Sequence, residues 1–451
     1  MTDGAIWKRI LVFAIPIFWG NLFQQLYNTA DSLIVGNVLG SDALAAVTSS
    51  SSLIYLLVGF FQGLFIGAGV IISRYYGAKN TSTLQKAIHT TAALGIICGV
   101  IMTVIGVCAT PVILRLMGTP ASVLPDSIIY LRIYFAGSMG FVLYNCFVGI
   151  LQAVGDSKHP LIYLVISSVI NIGLDLFFIG VLGLGVGWAA VATIIAQIVS
   201  ALLCLRKLLR SPEEFRLVLR KIRIHGELLS KILKNGVPSG VQNSIISIAN
   251  VFVQSNINAF GALAVAGCGA YSTIQGFAFL PVICFTMAMS TFVSQNLGAE
   301  EYGRVKKGTV FGLACCCIIA EVIGILTHIF GPWLMSWFSA DPTVIQYGVE
   351  YCRCNGMFFF LLAFSHCMAS IFRGAGKAIV PMFVMMAFWC GVRVSYIAIT
   401  VRFIPDIHVV FWAYPLTWTL SSVFFLIYYI KVDWMRGSKL EHGKEAVAKQ
   451  V

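Results

Sequence analysis

Charge is scarce in this chain. Only 11% of its 451 residues are Asp, Glu, Lys or Arg, against about 25% in a soluble globular protein. With 59% hydrophobic residues and a mean hydropathy of +0.89, that shortfall excludes a water-soluble fold. Metal-ligand spacing is missing as well. None of the 13 Cys residues pairs with a His in such a pattern, and many sit in apolar runs such as Cys315-Cys316-Cys317. They read as small buried apolar residues in a reducing setting. The start has no basic stretch, short apolar core and small-residue cleavage site in succession, so the first helix is expected to be retained. No nucleophile–base pairing stands out, which argues against an intramembrane enzyme.

What charge there is lies mostly at one side. The net charge of +12 could suggest nucleic acid, but the basic residues occupy short loops between apolar runs, where a positive-inside bias puts them. The runs predict an all-α polytopic membrane protein of twelve spans, near 11–36, 46–73, 87–110, 128–151, 160–181, 187–206, 232–258, 267–294, 308–329, 347–371, 379–402 and 408–430. Lys8/Arg9, Arg74/Lys79/Lys86, Lys158, the central linker, Arg304/Lys306/Lys307, Arg373/Lys377 and the Lys-bearing tail fall on one side. Both termini are therefore expected in the cytoplasm of a multi-pass cell-membrane protein.

An internal repeat organises the spans. Pro16, Asn21 and Asn28 recur 222 residues on as Pro238, Asn243 and Asn250. Gly77-Ala78, Pro111, Tyr130, Arg132 and Pro160 recur 221 residues on as Gly298-Ala299, Pro332, Tyr351, Arg353 and Pro381. Six spans per copy is an even number, so both copies enter the membrane the same way round. That predicts two parallel-repeat six-helix bundles with a cleft between them, common among alternating-access carriers. The expected division is a first lobe at 1–205, a basic linker at 206–231, a second lobe at 232–431 and a tail at 432–451. The linker's Phe215, Leu217, Val218, Leu219 and Ile222 would suit a helix on the inner membrane surface; the plainer reading is a solvated loop.

The first span carries a wet stripe. Asn21, Gln24, Gln25, Asn28, Asp31 and Ser32 step by three or four, so they share one helical face. Asp31 is the costly member, since an acid near the bilayer centre is disfavoured by roughly 2.5–3.5 kcal/mol on insertion scales. Pro16, about 15 residues or roughly 22 Å away, removes a backbone hydrogen bond and makes a candidate hinge. Span seven repeats the stripe without charge through Asn243, Ser247, Asn250 and Gln254. Asn21, Gln24, Asn28, Asn243, Asn250 and Gln254 are thus expected to line the cleft.

The copies differ in ionisable groups. Asp31 aligns with Val253. In span five Asn171 and Asp175 are four apart on one face, and span six supplies Thr193. All four fall about five to ten residues below the outer boundary, within one layer of the first copy. Two carboxylates, an amide oxygen and a hydroxyl in a dry site could hold a monovalent cation. They could equally keep one carboxyl protonated, since two close charges cannot both ionise cheaply. Glu321 and Arg393 in the second copy lie at equal depth, which predicts an ion pair. His366 reads as a packing residue rather than a proton relay. Arg132 and Arg353 read as snorkelling or cap residues.

At TADSLIVGNVLG, SRYYGAKN, QAVGDSKHP and NIGLD, with SQNLGAEE and FRGAGKAIVP as second-copy counterparts, the chain resembles the multidrug and toxic compound extrusion (MATE) transporters. The resemblance covers nearly the whole chain. It implies a twelve-helix antiporter of two six-helix lobes, extruding hydrophobic or cationic organic compounds in exchange for Na⁺ or H⁺, with no other cofactor. The family's first-lobe cation site falls on Asp31, Asn171, Asp175 and Thr193, the set already gathered by depth, and its bending Pro on Pro16. Some branches add an acid on the seventh or tenth helix, and both spans are read here as lacking one. A monomer in the lipid bilayer with no nucleic-acid partner is expected. The rival reading is a flippase for lipid-linked sugar precursors, which would want a cationic cleft for pyrophosphate; Arg393 is its one deep candidate.

Overall fold

The structure is a computed structural model that describes residues 1–39, 41–116, 119 and 123–435, apart from the side chains at 30–33, 35–37, 39, 41–53, 55 and 116. The first copy comprises α1 (Ile6–Leu39), α2 (Ser41–Gly77), α3 (Thr81–Leu116), α4 (Leu124–Ala136), α5 (Ser138–Ala153), α6 (Lys158–Asp175) with a π turn at Leu176–Val181, and α7 (Gly187–Leu209). The second comprises α8 (Gly226–Asn258), α9 (Ala262–Gly298), α10 (Tyr302–Ser336), α11 (Pro342–Gly356), α12 (Phe359–Gly374), α13 (Ile379–Met385), a π turn at Met386–Val392, α14 (Arg393–Phe403) and α15 (His408–Lys431).

Nine helical segments among the described residues are long and apolar enough to cross a membrane. The pairs α4–α5 and α11–α12, bent by 48° and 57°, are the repeat-related fourth span of each copy. The seventh span, α8, completes the twelve, and its 33 residues are ample in length. Its Asn235, Gln242, Asn243, Asn250 and Gln254 dilute its apolar surface. Several helices outrun their predicted spans: α10 covers 35 residues, about 52 Å, well beyond a hydrocarbon core of about 30 Å.

Each copy builds its own core, but the opening turns of α1 and α8 are exchanged. Ile10, Phe13, Ala14 and Ile17, spaced as one helical face, pack with Phe285, Phe292, Phe372 and Trp418 of the second copy. Leu228 and Ile232 of α8 pack with Phe65, Phe147 and Leu151 of the first.

Glycines close the seam between the copies. A Cβ on Gly67 of α2 would lie 2.4 Å from Gly236 Cα of α8, and one on Gly63 would lie 2.5 Å from the Ser239 carbonyl oxygen. Small residues four apart let the two backbones touch. Nearer the end that carries the N-terminus, Gly77 would meet the Gln295 carbonyl oxygen at 1.9 Å and Gly298 the Arg74 carbonyl oxygen at 2.0 Å. Residues 74 and 295, like 77 and 298, are 221 apart, so this crossing is two-fold in character. The Gln295 Nε2 amide donates to the Ala153 carbonyl (2.7 Å) and the Arg74 Nη2 to its repeat equivalent, the Gly374 carbonyl (3.4 Å). Ser294 Oγ adds a 2.6 Å bond to the Val70 carbonyl.

Between α7 and α8 the linker is mostly irregular, with one 3₁₀ turn at Leu219–Lys221 rather than a surface helix. Leu217 is buried, and the Val218 N–H donates to His89 Nε2 at 3.0 Å. The linker has too few consecutive turns free of such anchors to close a helix of its own.

Candidate cation site

α6 presents Asn171 and Asp175 one turn apart on its inward face, 1% and 0% exposed. Asp175 ends the α-helix, and the π turn that follows widens the backbone there, a distortion often found at functional sites. A cavity of about 10 Å³ lies between α1, α6 and α7, lined by Tyr27, Ser167, Ser168, Asn171, Thr193 and Gln197. That is about the room one water needs. Asn171 and Thr193 are therefore brought together, with Asp175 one turn above on the same helix. Asp31 stands one turn beyond Tyr27 in α1, and its side chain lies outside the described residues.

The polar atoms around this cavity are unusually idle. Neither the Oδ1 nor the Nδ2 of Asn171 has a hydrogen-bond partner among the described residues, and nor does Gln197 Oε1. Leaving a buried polar group unmet costs about 1–3 kcal/mol. The Thr193 hydroxyl donates to its own helix at the Ala189 carbonyl (3.1 Å), so its lone pairs still face outward as acceptors. An amide oxygen, a hydroxyl and a second amide oxygen beside a buried carboxylate form a donor set that suits a small hard cation. Gln197 was missed from the sequence, although its spacing of four from Thr193 could have found it.

The wet stripes make their own contacts. Asn21 of α1 donates to Cys284 Sγ of α9 (3.2 Å), and its repeat mate Asn243 of α8 donates to the Gly59 carbonyl of α2 (3.1 Å). Both pin the seam. Gln24 and Asn28 are half-buried, while Asn250 and Gln254 are exposed, the latter donating to Asn258. Pro16 sits half-buried inside an α1 that continues through it.

Two second-copy expectations fail. Glu321 and Arg393 do not pair: the Glu321 carboxylate accepts from the Phe360 N–H (3.1 Å). Arg393, 1% exposed, donates from Nη2 (2.8 Å) and Nε (3.2 Å) to Thr417 Oγ1. Its guanidinium also lies over Tyr414 at 4.3 Å and Trp389 at 5.1 Å. Equal depth fixed the level of the two residues but not the direction each faces. The tenth span does hold an acid, Glu350 of α11, 29% exposed and held by Gln346 (2.8 Å) and His408 (3.5 Å). His366 packs edge-on between Phe279 and Trp389.

Comparison with known proteins agrees with this architecture. The MatE family model matches the chain twice, over residues 16–177 and 238–397. The probable multidrug resistance protein YoeA of Bacillus subtilis is 30% identical over 438 residues, covering 95% of this chain and 94% of its own. A second Bacillus subtilis protein, the probable multidrug resistance protein YpnP, is 29% identical over 86% of this chain and 87% of its own. Among solved structures, an outward-facing multidrug resistance MATE transporter superposes with a TM-score of 0.89 at 23% identity, covering 96% of this chain and 97% of that one. A twelve-helix membrane protein whose two halves each match one family model is a carrier rather than an enzyme, and the chain belongs to the MatE family of multidrug and toxic compound extrusion transporters.

Proposed function

We propose that this transporter exports hydrophobic and cationic organic compounds in exchange for Na⁺ or H⁺, with the coupling ion bound by Asp31, Asn171, Asp175 and Thr193. The observation that carries the reading is the dry amide of Asn171, one turn from Asp175 and facing Tyr27 of α1 across a one-water cavity. The relatives' names, both of them probable multidrug resistance proteins, support the substrate class.

In this reading both termini are cytoplasmic, and lobes 1–205 and 232–431 rock about the seam as a monomer. The closed glycine crossing near the N-terminus then seals the cytoplasmic side, and the cleft opens outward. An ion arriving from outside neutralises Asp31 and Asp175, α1 changes its bend at Pro16, and the cleft loses affinity for its cargo. Ion entry draws on about 2.3 kcal/mol per charge for each 100 mV of potential. The ion can drive the cycle only by binding one state better than the other. The rival flippase reading loses support, because Arg393 is sealed against Tyr414 and Thr417 rather than set in an open cleft.

The test is transport by purified protein in proteoliposomes with a Na⁺ or a pH gradient imposed separately. Asp31→Asn and Asp175→Asn should each abolish efflux of a cationic dye while membrane insertion stays normal. Efflux at the wild-type rate in both variants would remove the coupling site.

A further inference from the structure

The seam holds a second cavity, of about 40 Å³, near its N-terminal end. Its lining reflects the repeat: Ile66 and Met287, Gly69 and Ser290, Val70 and Thr291, and Gln152 and Arg373 are each 221 apart. The cavity therefore sits on the axis relating the two copies. The residue types differ in all four pairs: the second copy adds hydroxyls at Ser290 and Thr291, and it places a guanidinium where the first has the neutral amide of Gln152.

Arg373 has no hydrogen-bond or ion-pair partner for its side chain among the described residues, and its Nε is fully buried. Arg74, across the same seam, reaches only the Gly374 carbonyl, and its Nε is buried without a partner as well. Two half-buried guanidiniums, each with a buried Nε that has no partner among the described residues, thus stand close to one interface with no carboxylate against either, an arrangement that favours a nearby anion. Of the other polar side chains facing the cavity, Ser73 already donates its hydroxyl to the Ala153 carbonyl (2.9 Å), while the hydroxyls of Ser290 and Thr291 and the amide of Gln152 can donate inward. A volume of about 40 Å³ holds two or three water-sized bodies.

We infer that this cavity is a binding site for a small monovalent anion of the halide class, held on the axis between Gln152 and Arg373 with hydroxyl donation from Ser290 and Thr291. Both copies contribute donors, so the site exists only while the seam is closed. Parting the copies pulls Arg373 away from Gln152 and releases the anion. Bound halide therefore favours the seam-closed state, since a ligand shifts an equilibrium toward the state it binds. The site is independent of which cation drives transport and would stand if the coupling proposal failed.

The experiment compares thermal unfolding of the purified full chain in sodium chloride, sodium bromide and sodium gluconate at equal Na⁺ and pH, gluconate being too large for the cavity. Wild type should show a saturable rise in its unfolding midpoint with either halide. Arg373→Gln, which copies the residue already tolerated at 152, should raise the apparent halide dissociation constant by about tenfold or more. If that variant fails to fold, Ser290→Ala with Thr291→Val keeps the charge and should weaken halide binding alone. Crystals grown in bromide should show anomalous density between Gln152 and Arg373. A midpoint indifferent to halide in wild type, a response unchanged in the variants, or only water at that position would overturn the assignment.

Discussion

Replacing Gly77 and Gly298 with alanine should drive the transporter out of the state described here. In that state each new Cβ would stand 1.9–2.0 Å from a backbone carbonyl oxygen of the other copy, where ordinary contact begins near 3.4 Å. The helices must part by about 1.5 Å, and because the obstructing atoms are backbone, no side-chain rotation relieves them. Overpacking of this kind costs about 1–3 kcal/mol per site. The cost falls only on the seam-closed state, so each substitution lowers its population relative to the opposite state by about 5- to 150-fold. Neither glycine has a left-handed backbone, so alanine is not strained locally. The assay is a spin-label distance between Ser82→Cys and Gly303→Cys, two exposed repeat-related positions, in a background lacking the accessible native cysteines. The double alanine variant should lengthen the dominant distance and slow efflux. An unchanged distance distribution would refute the idea that the glycine crossing holds the closed state.

Four further outcomes follow from named contacts. Asn171→Leu removes a buried amide with no partner among the described residues, so it should leave stability unchanged or raise it by about 1–2 kcal/mol while abolishing coupled efflux; unfolding and transport measured side by side would decide it. Arg393→Lys keeps the charge but loses stacking on Tyr414 and Trp389, and should destabilise by about 1–3 kcal/mol in denaturant titrations. Glu321→Gln retains an acceptor for the Phe360 N–H and should transport normally. His225 has its pKa lowered by partial burial and by the nearby Arg223, Lys86 and His89. Its native state thus favours the neutral ring, and the linker's docking through the Thr90 hydroxyl to the His225 N–H (3.2 Å) should weaken as pH falls from about 6.5 through that lowered value. Hydrogen exchange at the Val218 and His225 amides across that range should rise as pH falls, after correction for intrinsic rates.

The spans and the repeat were legible because both leave one-dimensional traces: apolar runs of fixed length, and residues such as Pro16 and Pro238 at one offset. That Asn171 and Thr193 meet at one cavity was legible for the same reason, since position along a helix is a count. Azimuth was not. The partners of Asn21 and Asn243, Cys284 of α9 and the Gly59 carbonyl of α2, could not be read from the face these residues share. Glu321 and Arg393, read at one level, meet different neighbours. Gly63, Gly67 and Gly77 look in sequence like loose points in a helix. Only the approach of α8 and α9 reveals them as points where backbones of the two copies touch.

The exchanged opening turns bear on how the chain is made. Ile10, Phe13 and Ile17 find their companions on segments from about residue 282 onward, some 265 residues later in synthesis. At about 5–20 residues per second, the opening turns of the first helix wait roughly 13–53 s with lipid or a chaperone in place of their final neighbours. Neither half, produced alone, could bury that surface. A split version should therefore assemble only when both fragments are translated into the same membrane.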